Sequence, residues 1–271
     1  MCVPRGKKSD CVVGDRVRWA VTGDGGVIER VAERRNLLHR QDEWKTKSFA
    51  ANIDQLLVLV AVEPMYSESQ LARALIAAEH AGIPSLIVLN KTDLPTVGAA
   101  RERLAPYVAM GVPVHELSIK HQGDAARGLL TPLLAGRATL VLGPSGMGKS
   151  TLINRMVPEA AAQVGEISLA LNAGRHTTTT TTWYWLDDAR RTALLDSPGF
   201  QEFGLRQVSA AELPMRMPDI RAHAEACRFY NCSHLHEPGC GVRAAVDSGA
   251  INASRYRIYQ ELHAELSATR Y

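Results

Sequence analysis

Along the chain, short β-like runs at the start give way to longer apolar runs that alternate with helical patterning. In residues 1–49, Cys11-Val12-Val13 and Arg16-Val17-Arg18-Trp19-Ala20-Val21 are broken by Gly14-Asp15 and Gly23-Asp24-Gly25-Gly26, and Val27-Ile28 resumes a strand. Closely spaced short strands with glycine turns predict a small barrel or meander. From residue 52 the period changes. After Gln55, the segment Leu56-Leu57-Val58-Leu59-Val60-Ala61-Val62 is unbroken apolar sequence, as a parallel strand buried on both faces requires. A helical pattern from Ser67 to Ala81 is closed by Gly82, and Ser85-Leu86-Ile87-Val88-Leu89 reads as a second buried strand. Val112-Pro113-Val114, Ala138-Thr139-Leu140-Val141-Leu142 and Thr192-Ala193-Leu194-Leu195 supply further strands. This alternation predicts a doubly wound α/β domain. From about residue 206 the pattern is helical around a group of Cys and His residues.

The 271 residues suggest two domains, with three small ones also compatible, and suffice to bury a core without staples. With 46% hydrophobic and 22% charged residues, disorder is excluded as the dominant state. No apolar run approaches the roughly 18–20 residues of a membrane-spanning helix, and Met1-Cys2-Val3-Pro4-Arg5-Gly6-Lys7-Lys8 lacks the apolar core of a signal peptide. Secretion and membrane insertion are therefore not expected. The net charge of +3 conceals an uneven distribution, because residues 1–50 carry 11 Lys and Arg against 7 Asp and Glu. On charge alone, so modest a surplus is more often a solvated surface than a nucleic-acid contact. Five cysteines, an odd number, argue against a disulfide framework. Cys2 and Cys11 are expected to be inert thiols, and Cys227, Cys232 and Cys240 need another explanation.

Gly143-Pro144-Ser145-Gly146-Met147-Gly148-Lys149-Ser150-Thr151 fits G-x-x-x-x-G-K-S/T between a predicted strand and a helix-like Leu152-Ile153-Asn154-Arg155-Met156. That setting distinguishes a P-loop from a glycine-rich turn with a chance lysine. Its backbone N–H groups would converge on phosphates at a helix N-terminus. Lys149 would reach the outer phosphates, and Ser150 would ligate Mg²⁺. Asn90-Lys91-Thr92-Asp93, just past a buried strand, would choose the base. The Asp93 carboxylate can accept from guanine N1–H and the exocyclic amine, whereas adenine would leave it unpaired. Lys91 can lie along the base plane while Asn90 braces neighbouring loops. Ser118-Ile119-Lys120 fits, by position, the loop that backs the guanine.

Asp196-Ser197-Pro198-Gly199 matches the D-x-x-G element that holds Mg²⁺ through water and senses the γ-phosphate; a capping aspartate in a Pro-Gly turn is the competing reading. Between it and the P-loop, Gly174-Arg175-His176 precedes six threonines, Thr177 to Thr182. An early one, assigned as Thr178, would complete the Mg²⁺ set with Ser150 and Asp196, and the later ones would lead into a strand at Trp183-Tyr184-Trp185. In the common GTPase order the P-loop comes first and the base-reading motif follows. Here Asn90–Asp93 and Ser118–Lys120 precede Gly143–Thr151, so the GTPase is circularly permuted, which close termini in a compact domain make tolerable. The D-x-x-G element becomes the exit of this region, so nucleotide state is expected to pass directly to residues beyond 205.

Cys227-x4-Cys232-x-His234-x5-Cys240 offers three thiolates and one imidazole within 14 residues, a closed tetrahedral set suited to structural zinc. His236 is the competing ligand, disfavoured because His234 already completes the set. The permuted order, the Gly174-Arg175-His176 segment, Asp196-Ser197-Pro198-Gly199-Phe200 and the Cys3His group together resemble the RsgA (YjeQ) family of ribosome-biogenesis GTPases. Val13-Gly14-Asp15-Arg16-Val17 and Arg35-Asn36-Leu37-Leu38 extend the resemblance over nearly the whole chain. It implies a multidomain α/β protein: an OB-fold-like RNA-binding β-barrel at 1–49, a permuted P-loop GTPase domain at 50–205 and a helical zinc-binding domain at 206–271. It also implies a cytoplasmic monomer that binds GTP, GDP and the 30S subunit with its 16S rRNA late in assembly. The particle would stimulate hydrolysis, coupled to release of assembly factors. Phe200 stands where other GTPases carry a water-orienting glutamine, so the resemblance assigns the catalytic role to His176, acting on water or ordering the loop. Family members usually carry a strand before the segment at which Met1-Cys2-Val3 begins, so the first barrel strand is expected to be missing, leaving an exposed edge.

Overall fold

The computed structural model describes residues 2–4, 11–23, 25–41, 46–158, 181–199 and 203–268. Its centre is a six-stranded sheet of β6 (Gln55–Ala61), β7 (Ser85–Asn90), β8 (Val114–Glu116), β9 (Ala138–Leu142), β10 (Thr182–Trp185) and β11 (Ala193–Asp196). The spatial order is β10-β11-β9-β6-β7-β8. Neighbours run parallel except β10, which forms an antiparallel edge with β11. Every residue of β6 is buried, which is why its sequence shows no alternation. The strand expected at Val112–Val114 begins instead at Val114. Pro113 has no N–H to give the ladder and contributes only its carbonyl, which accepts from Ile87 N at 2.8 Å.

Helices cover the sheet: α1 (Glu68–His80), α2 (Val97–Ala109), α3 (Ile119–Gln122), α4 (Asp124–Leu134) and α5 (Lys149–Met156). The first starts where Ser67 accepts from Gln70 N, and it buries Leu71, Ala74, Ala77 and Ala78 at helical spacing. β7 and β9 flank β6, so the loops leaving their carboxyl ends open on one edge of the sheet. In open α/β sheets that edge is where ligands bind.

The first fifty residues form a three-stranded sheet, β1 (Cys2–Pro4), β3 (Gly25–Val31) and β2 (Val17–Thr22) in spatial order β1-β3-β2, and a hairpin of β4 (Leu37–Gln41) with β5 (Thr46–Ala51). Among the described residues these are two separate sheets rather than one closed barrel. Cys2–Pro4 pairs in parallel along β3, so β3 is flanked on both sides. The Cys11–Val13 run, expected as a strand, is a turn: Asp15 Oδ2 accepts from Val12 N at 2.8 Å. Gly14 sits there at φ +92°, and a Cβ would lie 2.0 Å from the Ala51 carbonyl oxygen, so no other residue fits.

Beyond residue 203 the chain forms a 3₁₀ turn (Leu213–Arg216), α6 (Pro218–Ala224), α7 (Gly241–Asp247) and α8 (Ala253–Ser267). Leu213, Met217, Ile220, Ile258, Tyr259 and Leu262 join the same hydrophobic core as β6 and α1. A buried ion pair locks this arrangement. Arg255 donates to both Asp219 oxygens, at 2.8 and 3.1 Å, and its guanidinium lies 5.0 Å from the Tyr107 ring centroid. No helix among the described residues is long and apolar enough to cross a membrane.

Candidate functional site

Three glycine-dependent turns shape the loop between β9 and α5. Gly143 passes so close to β6 that a Cβ would lie 2.6 Å from the Leu59 carbonyl oxygen. Gly146 and Gly148 adopt φ of +84° and +99°, and Gly148 caps α5. A Cβ on Gly148 would also lie 2.3 Å from Asn90 Nδ2. Pro144 is half-buried, Met147 is buried, and Ser145, Ser150 and Thr151 are exposed. Lys149, largely buried at the start of α5, places its ammonium 3.2 Å from Asp196 Oδ1 at the end of β11. The Ser197 hydroxyl, fully buried, donates to the Val141 carbonyl at 2.6 Å and so ties the start of D-x-x-G to β9. A Cβ on Gly199 would stand in ordinary contact with Gly143 O and Ser145 N, at 3.8 and 3.9 Å. The phosphate loop and the D-x-x-G element are thus adjacent.

The base-reading motif is pinned to this loop by two side chains. Asn90 is buried; its Nδ2 donates to Met147 O at 2.9 Å, and its Oδ1 accepts from Ile119 N at 3.1 Å. One carboxamide therefore joins the P-loop to the Ser118–Lys120 segment. Lys91, at φ +62°, donates to Gly146 O at 2.9 Å and to Glu63 O at 2.5 Å. Thr92 donates its N–H to the Leu117 carbonyl. Asp93 stands at the surface, where the Ser118 hydroxyl donates to its Oδ1 and His121 Nε2 lies 3.4 Å from Oδ2. The Ser118 bond, ahead of an opposing effect of desolvation, holds the Asp93 carboxyl below the usual carboxylate range. Lys120 is exposed beside it and adds a favourable charge. The arrangement presents a carboxylate acceptor with spare lone pairs, three residues beyond the asparagine tied to the glycine-rich loop.

A second cluster lies in the C-terminal helical region. The ligand atoms of Cys227, Cys232, His234 and Cys240 all fall within 4.8 Å of one another. Cys227 Sγ is 3.8 Å from Cys240 Sγ, and His234 Nδ1 is 3.4 and 3.6 Å from those two sulfurs. Tetrahedral zinc with ordinary bond lengths requires about 3.8 Å between sulfurs and about 3.6 Å from sulfur to nitrogen. The donor set therefore fits zinc. Two thiols already accept backbone N–H groups, Cys227 from Gly241 and Cys240 from Arg243 at the start of α7. His236 is exposed and outside the set. Gly174, Arg175, His176, Thr177 to Thr180 and Phe200 lie outside the described residues.

The sequence model of a family described as RsgA GTPase matches residues 31–206. The small ribosomal subunit biogenesis GTPase RsgA of Variovorax paradoxus (strain S110) is 61% identical over 276 residues, spanning 100% of this chain and 87% of that protein. The chain belongs to the RsgA GTPase family.

The protein of the same description from Burkholderia pseudomallei (strain 668) is 54% identical, covering 98% of this chain and 85% of its own. Among solved structures, YjeQ from Thermotoga maritima superposes with a TM-score of 0.75 at 30% identity, over 99% of this chain and 90% of that one. YloQ, described as a circularly permuted GTPase, gives 0.72 at 27% identity, over 100% and 88%. This RsgA-family chain is accordingly a GTP hydrolase with permuted motif order. Sequence reading missed two supports. Glu237 accepts from the backbone or hydroxyl of Ser233, Leu235 and His236, which shapes the ligand loop and holds its carboxyl far below the usual range, the Ser233 hydroxyl acting most strongly. The i, i+4 spacing of Ser233 and Glu237 was the available signal. The other is the Glu63 carbonyl that receives Lys91, a backbone group with no sequence signature.

Proposed function

We propose that this GTPase binds the small ribosomal subunit late in its assembly and couples GTP hydrolysis to release of assembly factors. The observation that carries the guanine-nucleotide reading is the Asn90 carboxamide, which joins the P-loop at Met147 to the guanine-backing segment at Ile119. Base-reading and phosphate-binding loops so fixed pay little ordering cost when a nucleotide enters. Asp93 takes guanine N1–H and the 2-amine, Lys91 lies along the base, and Ser118 and Lys120 steady the carboxylate. Residues Gly143 to Thr151 receive the phosphates, with Lys149 turning from Asp196 toward the β- and γ-oxygens. Mg²⁺ held by Ser150, Thr178 and Asp196 would neutralise charge on those oxygens.

In hydrolysis, water attacks the γ-phosphorus and the bond to the β–γ bridging oxygen breaks, leaving GDP and inorganic phosphate. Asp196 and Gly199 respond to the γ-phosphate, while His176 orients the water or orders its own loop. With Phe200 in place of a water-orienting side chain, intrinsic turnover is slow and the ribosomal particle accelerates it. The basic N-terminal region, OB-like in strand pattern, supplies 16S rRNA contact, and a zinc ion in the Cys3His cluster is structural. The relatives' shared description as small-subunit biogenesis GTPases supports this assignment, for a cytoplasmic protein acting as a monomer.

The test is GTP turnover with and without purified 30S subunits. Turnover raised by the particle is expected. RNA or subunit binding that depends on salt but is indifferent to GTP, with unstimulated turnover, would instead identify an RNA-binding module with vestigial nucleotide chemistry.

A further inference from the structure

Phe203 follows Gly199 by only four positions, and three parts of the molecule meet on it. Its ring, 1% exposed, stacks on Phe49 of β5, with centroids 5.7 Å apart and planes 13° from parallel. Its carbonyl accepts from Arg73 Nη1 of α1 at 3.2 Å. The same guanidinium grips Glu265 of α8 through both nitrogens, one of those bonds measuring 3.0 Å. Arg73 holds the Glu265 carboxyl below its usual range, and Arg206 adds to the effect. The Arg73 side chain is 13% exposed, so this ion pair is shielded from solvent more than an ordinary surface pair.

We infer that Arg73 is a positioning residue for the GTPase reaction, clamping the exit of the D-x-x-G element through the Phe203 carbonyl and reporting its position to α8 through Glu265. Each link has a physical reason. Only three residues separate Gly199 from Phe203 in sequence, so their Cα atoms lie within about 14 Å of each other and a displacement of Gly199 by a γ-phosphate has a short path to Phe203. A planar guanidinium can bond a carbonyl and a carboxylate at once, which a lysine ammonium cannot do in the same fixed geometry. Arg73 thus couples a backbone atom beside the switch to a side chain 192 positions further on from itself, in the last helix. The Phe49 stack gives the N-terminal hairpin a share in the same junction. This inference rests on the GTPase reading and adds the route by which nucleotide state leaves the nucleotide edge.

The experiment compares hydrogen exchange of the full chain bound to GDP and to a non-hydrolysable GTP analogue, alongside nucleotide affinity and particle-stimulated turnover. In the wild-type protein, exchange across residues 253–267 should differ between the two nucleotides. In Arg73→Met that difference should vanish and stimulated kcat should fall about tenfold with KM held, the scale of one lost charge-assisted hydrogen bond. Glu265→Gln leaves the bond to Phe203, so residues 193–199 should keep their nucleotide-dependent protection while α8 loses its own. A merely structural role would raise exchange equally in both nucleotide states and would overturn the inference. So would a nucleotide-dependent difference in α8 that survives Arg73→Met, or none in the wild-type protein with both nucleotides bound. Failure to bind either nucleotide would overturn the GTPase reading itself, and this inference with it.

Discussion

The Cys/His cluster and the nucleotide edge are built in opposite ways. The cluster draws its four donors from 14 consecutive residues, Cys227 to Cys240, on the turns and bends between α6 and α7. The nucleotide edge draws on residues from Asn90 to Asp196, set at the ends of strands whose side chains are almost wholly buried. The ligand atoms of these four side chains lie within 4.8 Å of one another, and Glu237 and two backbone N–H groups shape the loop that carries them. Distant loops depend on the sheet, and here the Asn90 and Lys91 side chains tie them to one another. A short loop gathers the Cys/His donors, and the sheet gathers the residues of the nucleotide edge.

Stripping metal from the Cys/His cluster, where zinc is proposed to sit, tests this contrast most severely. Chelation, or Cys240→Ser, should unfold the ligand loop and α7, since structural zinc supplies about 10–16 kcal/mol in small zinc peptides. GDP affinity should change by less than about fivefold. Loss of ellipticity and of exchange protection over residues 227–247, with GDP binding retained, is the expected pair of results; joint loss would show that the two regions are not independent. At the nucleotide edge, Lys149→Ala should lower kcat/KM for GTP by about 10²–10³, the scale for removing one cationic or oxyanion-stabilising donor, with little change in melting temperature.

Asp93→Asn should weaken GTP by about 10–10², because a charge-assisted bond to the base is worth about 1.5–3 kcal/mol. Xanthosine triphosphate should recover binding, since its 2-carbonyl accepts from the new carboxamide where guanine offers a donor. Equal loss for both nucleotides would remove Asp93 from base reading. The smallest effect concerns pH. Base reading needs the ionised carboxylate, and the Ser118 hydroxyl lowers the Asp93 pKa. GTP affinity should therefore hold until pH falls through that depressed value. In Ser118→Ala the acid limb should move to higher pH, while affinity near neutrality stays close to wild type.

The sequence revealed most where a local rule dictates the structure. Leu56 to Ala61 could be read as a doubly buried strand, and Ser67 as a helix cap, because burial and capping leave periodic or positional marks. The P-loop pattern and Asn90–Asp93 stand out as candidates because phosphate and guanine demand particular residue types at fixed spacing, and the structure joins the two segments. Contacts between distant residues left no such mark. Asp219 and Arg255 are 36 positions apart, and Arg73 and Glu265 are 192 apart, so neither pair shows in any window of sequence. The Cys11–Val13 run failed as a strand because Asp15 captured the Val12 N–H, a side-chain bond that competes with sheet pairing.

The central claim is that these permuted loops form one guanine-specific nucleotide site, and competition binding tests it most directly. Fluorescent GDP bound to the full chain with Mg²⁺ should be displaced by GTP and by GDP, and left in place by ATP at concentrations 10²-fold higher, on the order expected for an unpaired carboxylate. Displacement by ATP and GTP alike would contradict the account, because Asp93 would then not face the base.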